Sequence, residues 1–274
     1  MAEPLILVPL DGPLDARAAL PVAKALGAAV GAGLRVVHVS SGTPPPLSEL
    51  VGRLGLERAG LLGWSIDARV GDPSAAIVDA ARMLGVRMIV MCTHTAAARP
   101  AAVLGRTALE VLRAAPCPVV LVPPVQRPES WRPDRILLAH DGSPAADAVV
   151  GPAAEYARKA GAKLLVVRVG TAGAGAPAER GSLSLPLYVD QPQHEWPHWS
   201  GELLERLASR CPDRRLQAHL CVRAGEPGPE ITRAAREWAD LIVLAWKGQW
   251  DGDRAKTLKT ILREASCPVM VVRA

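Results

Sequence analysis

The chain has 274 residues, 49% of them hydrophobic but only 3% aromatic with no Phe, and a formal net charge of +5 at pH 7. That length suits two domains of ordinary size, each able to bury its own aliphatic core, and the mild charge includes no basic run of the kind that forms a nucleic-acid arm. Five cysteines without a C-x-x-C pair argue for a reducing compartment and against structural zinc. With no signal-like start and no apolar run near the ~20 residues that span a bilayer, the sequence reads as cytoplasmic and without membrane contacts.

Leu5–Leu10 is a short, continuous apolar run, as in a strand buried on both faces. Asp11-Gly12-Pro13 reads as a turn, and Ala16–Val30 is Ala-rich with helical spacing. Leu34–Val39 is a second buried strand. Leu47–Leu62 reads as a helix weakened by Gly52, Gly55 and Gly60, and Ser65–Val70 as a third strand. Asp72-Pro73-Ser74 opens a helix through Leu84, with Pro in its first turn. Arg87–Met91 is a fourth strand, Thr107–Ala114 a helix and Val119–Val122 a fifth strand. Buried strands alternating with helices imply a parallel sheet covered on both faces. Pro123–Pro133 holds four prolines in eleven residues. The linker is placed at 126–131, between a domain of residues 1–125 and one of residues 132–274.

The second domain repeats the first. Leu5–Pro13 returns as Arg135–Ser143, Val70-Gly71-Asp72-Pro73 as Ala224-Gly225-Glu226-Pro227, and Met88–Met91 as Leu241–Leu244. Ala115-Pro116-Cys117-Pro118-Val119 returns as Ala265-Ser266-Cys267-Pro268-Val269. Blocks recurring in one order at a long period mark a duplicated domain, not a solenoid. Asp11 and Asp141 lie 130 residues apart but Gly71 and Gly225 lie 154 apart, so the second copy gains 24 residues, placed within 170–199. That insertion carries His194, Glu195 and His198 at i, i+4 spacing, but Pro197 spoils a shared helix face and no H-E-x-x-H is present, so no metal is expected. It reads as a lid or packing loop whose aromatic residues favour contact with a ligand or partner. The apolar fifth strands would be bare at a sheet rim, which invites pairing. Val119–Val122 and Val269–Val272 are therefore expected to pair antiparallel within one chain.

These blocks, all in order and twice over, resemble the universal stress protein family as a tandem pair, across nearly the whole chain. The resemblance implies two tandem Rossmann-like α/β domains, each a five-stranded parallel sheet flanked by helices. It also implies association through the last strand, with a homodimer of the whole chain as a further expectation, and in many members ATP binding. In ATP-binding members the loop after the fourth strand reads Gly-x-x-Gly, nine residues, then Gly-Ser or Gly-Thr. Glycines there let backbone N–H groups approach phosphate oxygens, and the helix that follows favours anions.

The first copy reads Cys92-Thr93-His94-Thr95, nine residues, then Gly105-Arg106-Thr107. The spacing is kept, while Cys92 and Thr95 replace glycines and Arg106 stands where Ser or Thr is usual. Carried over, the resemblance gives a candidate site for ATP or another adenine nucleotide made of Asp11, Val39, Cys92, Thr93, His94, Thr95, Arg99, Gly105, Arg106 and Thr107. In it Arg99 and Arg106 supply charge and Asp11 reaches the adenine or ribose end. The plainer alternative is a loop that has lost its ligand, with Asp11 serving its turn and His94 a satisfied polar residue. In the second copy the loop is three residues shorter. Asp251 and Asp253 would repel phosphate against Lys247 and Lys256, and Trp246 replaces a small residue, so any nucleotide is expected in the first copy. No nucleophile–base pair and no S-G-G-x-D-S loop can be named. The sequence therefore reads as a non-enzymatic stress-response protein that acts by binding a ligand or partner, with nucleotide binding weak or lost. An ATP-binding or ATP-hydrolysing enzyme on the same fold is the alternative, and a partner-binding scaffold a third reading.

Overall fold

The apolar runs form strands in a computed structural model of the chain, which describes residues 3–56, 64–94, 103–170, 201, 205, 218–251 and 255–274. The chain divides into two compact units, Met1–Arg132 with Pro268–Val271, and Pro133–Cys267 with Val272–Ala274.

In the first unit the order is β1 (Leu5–Pro9), α1 (Pro13–Val30), β2 (Gly33–Ser40), α2 (Leu47–Arg53), β3 (Trp64–Val70), α3 (Pro73–Leu84), β4 (Met88–Cys92), α4 (Arg106–Ala114) and β5 (Val119–Val122). Strand β1 pairs in parallel with β2 on one side and β4 on the other, β2 with β3, and β4 with β5. Ile6, Leu7, Val8, Met88, Ile89 and Val90 are all fully buried. The unbroken apolar runs are thus explained by helices on both faces of a parallel sheet. The chain leaves β1 towards β2 and β3, then returns to β1's other side at β4. That reversal opens a crevice at the C-terminal ends of β1 and β4, the place where open α/β sheets hold ligands.

Two local readings needed correction. Helix α1 begins at Pro13, not Ala16, because Pro is tolerated at a first helical position where its missing N–H has no partner in any case. Helix α2 ends at Arg53 rather than running on to Leu62. Gly55 adopts φ 66°, the left-handed region that stops a helix, and residues 57–63 lie outside the described residues. The proline-rich segment after β5 is tied down: Arg127 N–H donates to Arg17 O at 3.4 Å, and Lys24 pairs with Glu129 at 2.7 Å.

The edge strand of the first unit is covered from the far end of the chain. Strand β10 (Val269–Arg273) runs antiparallel to β5, with Val269 opposite Leu121, Met270 opposite Val120 and Val271 opposite Val119. The expected pairing of the last strands is therefore present within one chain.

The second unit holds β6 (Arg135–Ala139), a 3-10 turn at Ala146–Val149, α5 (Val150–Ala160), β7 (Lys163–Gly170), β8 (Ala218–Ala224), α6 (Pro227–Trp238), β9 (Leu241–Trp246) and α7 (Lys256–Glu264). Strands β8, β7, β6 and β9 pair in parallel in that order. Its crevice lies between the ends of β6 and β9. The inserted segment from residue 171 to 200 lies outside the described residues. Among the described residues no helix is long and apolar enough to cross a membrane.

Candidate functional site

In the first unit, main-chain hydrogen bonds shape the crevice before any side chain enters it. Leu10 N–H donates to Val37 O at 3.0 Å, prolonging the ladder beyond β1. Thr93 N–H donates to Val122 O at 2.9 Å, and Gly105 N–H to Thr93 O at 2.8 Å, so the start of α4 is fastened to the end of β4. No side chain caps α4 at Gly105, so its first N–H groups are left for solvent or a ligand. A Cβ at position 105 would meet Thr93 O at 3.4 Å, an ordinary contact, so packing alone does not require glycine there.

The result is a cavity of about 300 Å³ whose wall includes Asp11, Val39, Cys92, Thr93, His94, Gly105, Arg106 and Thr107. These candidate residues come together from four separate segments. Thr95 and Arg99 lie outside the described residues.

The chemistry of that wall differs from the sequence expectation in one important way. Asp15, from the first turn of α1, also lines the cavity and is only 5% exposed. Burial pushes its carboxyl up to about 6, helped by the charge of Asp11 and opposed by hydrogen bonds. The thiol of Cys92 donates to Asp15 O at 3.7 Å. Burial, with Asp15 nearby, pushes this thiol far above its ordinary value, so it stays protonated and is a poor nucleophile. Arg106 does not aim its charge inward freely: its guanidinium is 82% exposed and pairs with Glu110 one turn on, at 2.9 Å. His94 Nδ1 lies 3.2 Å from the Thr93 hydroxyl. Asp15 lies between the expected turn at Asp11-Gly12-Pro13 and the expected helix from Ala16, so neither element claims it. The signal was its place at i−3, i−4 and i−7 from the buried Ala18, Ala19 and Val22, a carboxylate on the core face of a helix.

The second unit has the larger cavity, about 540 Å³, at the ends of β6 and β9. Ala145 stands in its wall where Asp15 stands in the first, 130 residues earlier. Trp246 forms part of the wall and does not fill the space. Its indole N–H donates to Gln249 O at 3.1 Å, and its ring meets Trp250 edge-on at 6.3 Å. Lys247 and Thr257 also face this cavity, while Asp253 lies outside the described residues.

His140 is 2% exposed at the floor of this cavity. Gly142 N–H donates to its Nδ1 at 3.0 Å, so that nitrogen accepts and Nε2 carries the proton toward Asp147 Oδ1, 3.2 Å away. Burial holds the imidazole below its ordinary value against the pull of Asp147 and Asp141. Both ring nitrogens are therefore engaged, and His140 orders the turn after β6. Burial raises the Asp141 carboxyl, yet hydrogen bonds from Ser143 and the charges of Arg168 and His140 hold it below its ordinary range. Its partner Asp147 was invisible in the sequence because it sits seven residues away on a 3-10 turn that no periodicity announced. Among the described residues no group of His, Cys, Asp or Glu is placed to hold a metal ion. His194, Glu195 and His198 lie outside them.

A sequence profile of the universal stress protein family matches residues 5–123 and again 133–273. Among solved structures, a functionally unknown protein from Pseudomonas aeruginosa PAO1 is 18% identical, with 99% of this chain and 93% of that chain covered and a TM-score of 0.67. A universal stress protein from Archaeoglobus fulgidus DSM 4304 is also 18% identical, with 98% and 96% covered and a TM-score of 0.63. At that identity the likeness is one of fold. No curated protein matches the sequence significantly.

Proposed function

The chain belongs to the universal stress protein family, and from that premise we propose that it is a non-enzymatic binding protein whose first unit takes an adenine nucleoside, with the phosphates of a nucleotide held weakly or not at all. The observation that carries this reading is the convergence of Asp11, Val39, Cys92, Thr93, His94, Gly105, Arg106 and Thr107 on one cavity of about 300 Å³. That size is at the low end of ligand pockets, which run from roughly 300 to 1,000 Å³, and it suits a nucleoside better than a triphosphate. Arg106, the described cation of this wall, is committed to Glu110, while Asp11 and Asp15 add negative charge. The protonated thiol of Cys92 and the doubly bonded ring of His140 supply neither a nucleophile nor a free base. Thr95 and Arg99 complete the proposed first-unit site.

Titration calorimetry of the whole chain with adenosine and ATP tests the reading. Adenosine is expected to bind, ATP to bind no tighter, and ATP to be recovered intact after incubation. Phosphate release that disappears in Arg106→Glu would overturn it in favour of an ATP-hydrolysing enzyme.

A further inference from the structure

The two cavities occupy equivalent places in the two units, at the ends of β1 and β4 and of β6 and β9, and their walls differ at several positions. At the position where the first carries Asp15, the second carries Ala145. Asp15 is 5% exposed, and what it does expose faces the first cavity. We infer that Asp15 sets the ligand class of the first cavity, excluding anionic ligands and admitting uncharged, donor-bearing ones such as a nucleoside. The inference rests on the reading of this cavity as a nucleoside site and adds the residue that decides between the nucleoside and its phosphorylated forms.

Among the described residues no ion pair forms at the Asp15 carboxyl, and hydrogen bonds from the Asp11 N–H and the Cys92 thiol only partly offset its burial. Asp11, past β1, lowers Asp15 through its backbone N–H and, less strongly, raises it through the charge of its own carboxylate. Cys92, at the end of β4, presents a neutral thiol. His38, on β2, is turned to Leu10 O at 2.9 Å, and His94 to the Thr93 hydroxyl. Arg106, on α4, pairs with Glu110. Arg127, from the segment after β5, lies near enough to Cys92 to act on its thiol. The buried charge of Asp15 repels an entering phosphate more strongly than it would in water, and the exposed Asp11 adds a solvent-screened repulsion. A ligand N–H, by contrast, finds acceptors. The charge of Asp15 is itself conditional, since its carboxyl titrates near pH 6. Above that pH it is ionised and the exclusion is in force; below it the group is neutral and the exclusion weakens.

Calorimetry with adenosine and AMP, at about pH 5 and about pH 8, on the wild-type chain, Asp15→Asn and Asp15→Ala, decides the matter. Wild type is expected to prefer adenosine over AMP by about tenfold at the higher pH and by much less at the lower. Both variants are expected to lose the preference. The AMP phosphate titrates in the same range, so the pH dependence left in Asp15→Asn belongs to the ligand and is subtracted. A preference for adenosine that is unchanged in both variants overturns the inference. If neither compound binds any form, the nucleoside reading falls separately, and inorganic pyrophosphate becomes the probe. Shifts of the Thr93 and Gly105 amide resonances in Asp15→Asn but not in wild type would uphold Asp15 as the excluding group. Equal shifts in both would overturn it. Thermal melts confirm that each variant is folded, as the alanine at the equivalent place in the second unit leads one to expect.

Discussion

His140 Nε2 lies 3.2 Å from Asp147 Oδ1, and neither side chain is more than 6% exposed. The pair links the end of β6 to the 3-10 turn that leads into α5. Replacing His140 by Ala would leave a buried carboxylate without this donor and the Gly142 N–H without its acceptor. A loss of about 2–4 kcal/mol is expected. The pH dependence follows from burial, which holds the imidazole below its ordinary value in the folded chain. The unfolded chain therefore binds a proton first as pH falls. The stabilisation is complete above the unfolded value of about 6.5 and is lost as pH drops below it. Urea unfolding at a series of pH values should show that slope in wild type and lose it in His140→Gln.

Asp15 works in the opposite direction. Its carboxyl rises to about 6 in the folded chain from an ordinary 3.8, so folding takes up a proton between those values. Its contribution is most favourable at low pH and is lost as pH rises through 6. Asp15→Asn should therefore stabilise the chain at pH 8, by about 1–2 kcal/mol after allowing for solvent in the cavity, and change little at pH 4. A variant less stable than wild type at pH 8 would show that the ionised carboxylate is satisfied where it stands.

The contrast between these two residues explains what the sequence could disclose. Strands such as Met88–Cys92 and Val119–Val122 were legible because burial on both faces leaves an unbroken apolar run that few other environments tolerate. The antiparallel partner of β5 was legible because a bare apolar edge is costly and the duplicated strand was the nearest remedy. Asp11, Cys92 and Gly105 could be gathered into one candidate site through the family resemblance, whose loop spacing the first copy keeps. Asp15 and Asp147 could not. Each acts through a partner several residues away on an irregular turn or across to another strand, which no local periodicity reveals. The tie between Arg106 and Glu110 was equally hidden. An i, i+4 pair on a helix surface is so ordinary that its consequence, a cation withdrawn from the cavity, appears only in three dimensions.

Val120 and Met270 face each other across the β5–β10 ladder, and both are fully buried. Ending the chain at Ser266 would remove β10 and bare the Val119–Val122 edge. An apolar edge of this kind recruits other chains, so the truncated protein is expected to form dimers and larger species by light scattering. Adding Val120→Lys to the truncated chain should return it to the size of the full-length chain, because an edge lysine opposes pairing. A truncated chain that keeps that size without it would show that the edge needs no cover.

Gly228, in α6, faces Thr260, in α7, with no room for a side chain between them. A Cβ at position 228 would lie 2.7 Å from Thr260 Cβ and 2.9 Å from its Cγ2. In the first unit the equivalent places hold Ser74 and Glu110. There the serine hydroxyl donates to Asp72 Oδ1 at 2.5 Å, and the nearby Ser74 and Arg106 hold the Glu110 carboxyl below its ordinary range. Two facing β-carbons need more room than a glycine facing one. Gly228→Ala should therefore destabilise by about 1–3 kcal/mol through overpacking, even though Ala is the better helix former by about 1 kcal/mol. Thr260→Ser will not relieve it, because the nearest clash is with Cβ itself. Thr260→Gly in the Gly228→Ala background should recover most of the loss, less its own helix-propensity cost. Grafting the first unit's pair, Gly228→Ser with Thr260→Glu, should also destabilise, since the new Cβ at 228 meets the Cβ of residue 260 at the same 2.7 Å. Denaturant midpoints for the four variants check the scheme. A Gly228→Ala chain as stable as wild type would mean that α7 shifts aside at little cost, and that the close approach of the two helices is not what the glycine serves.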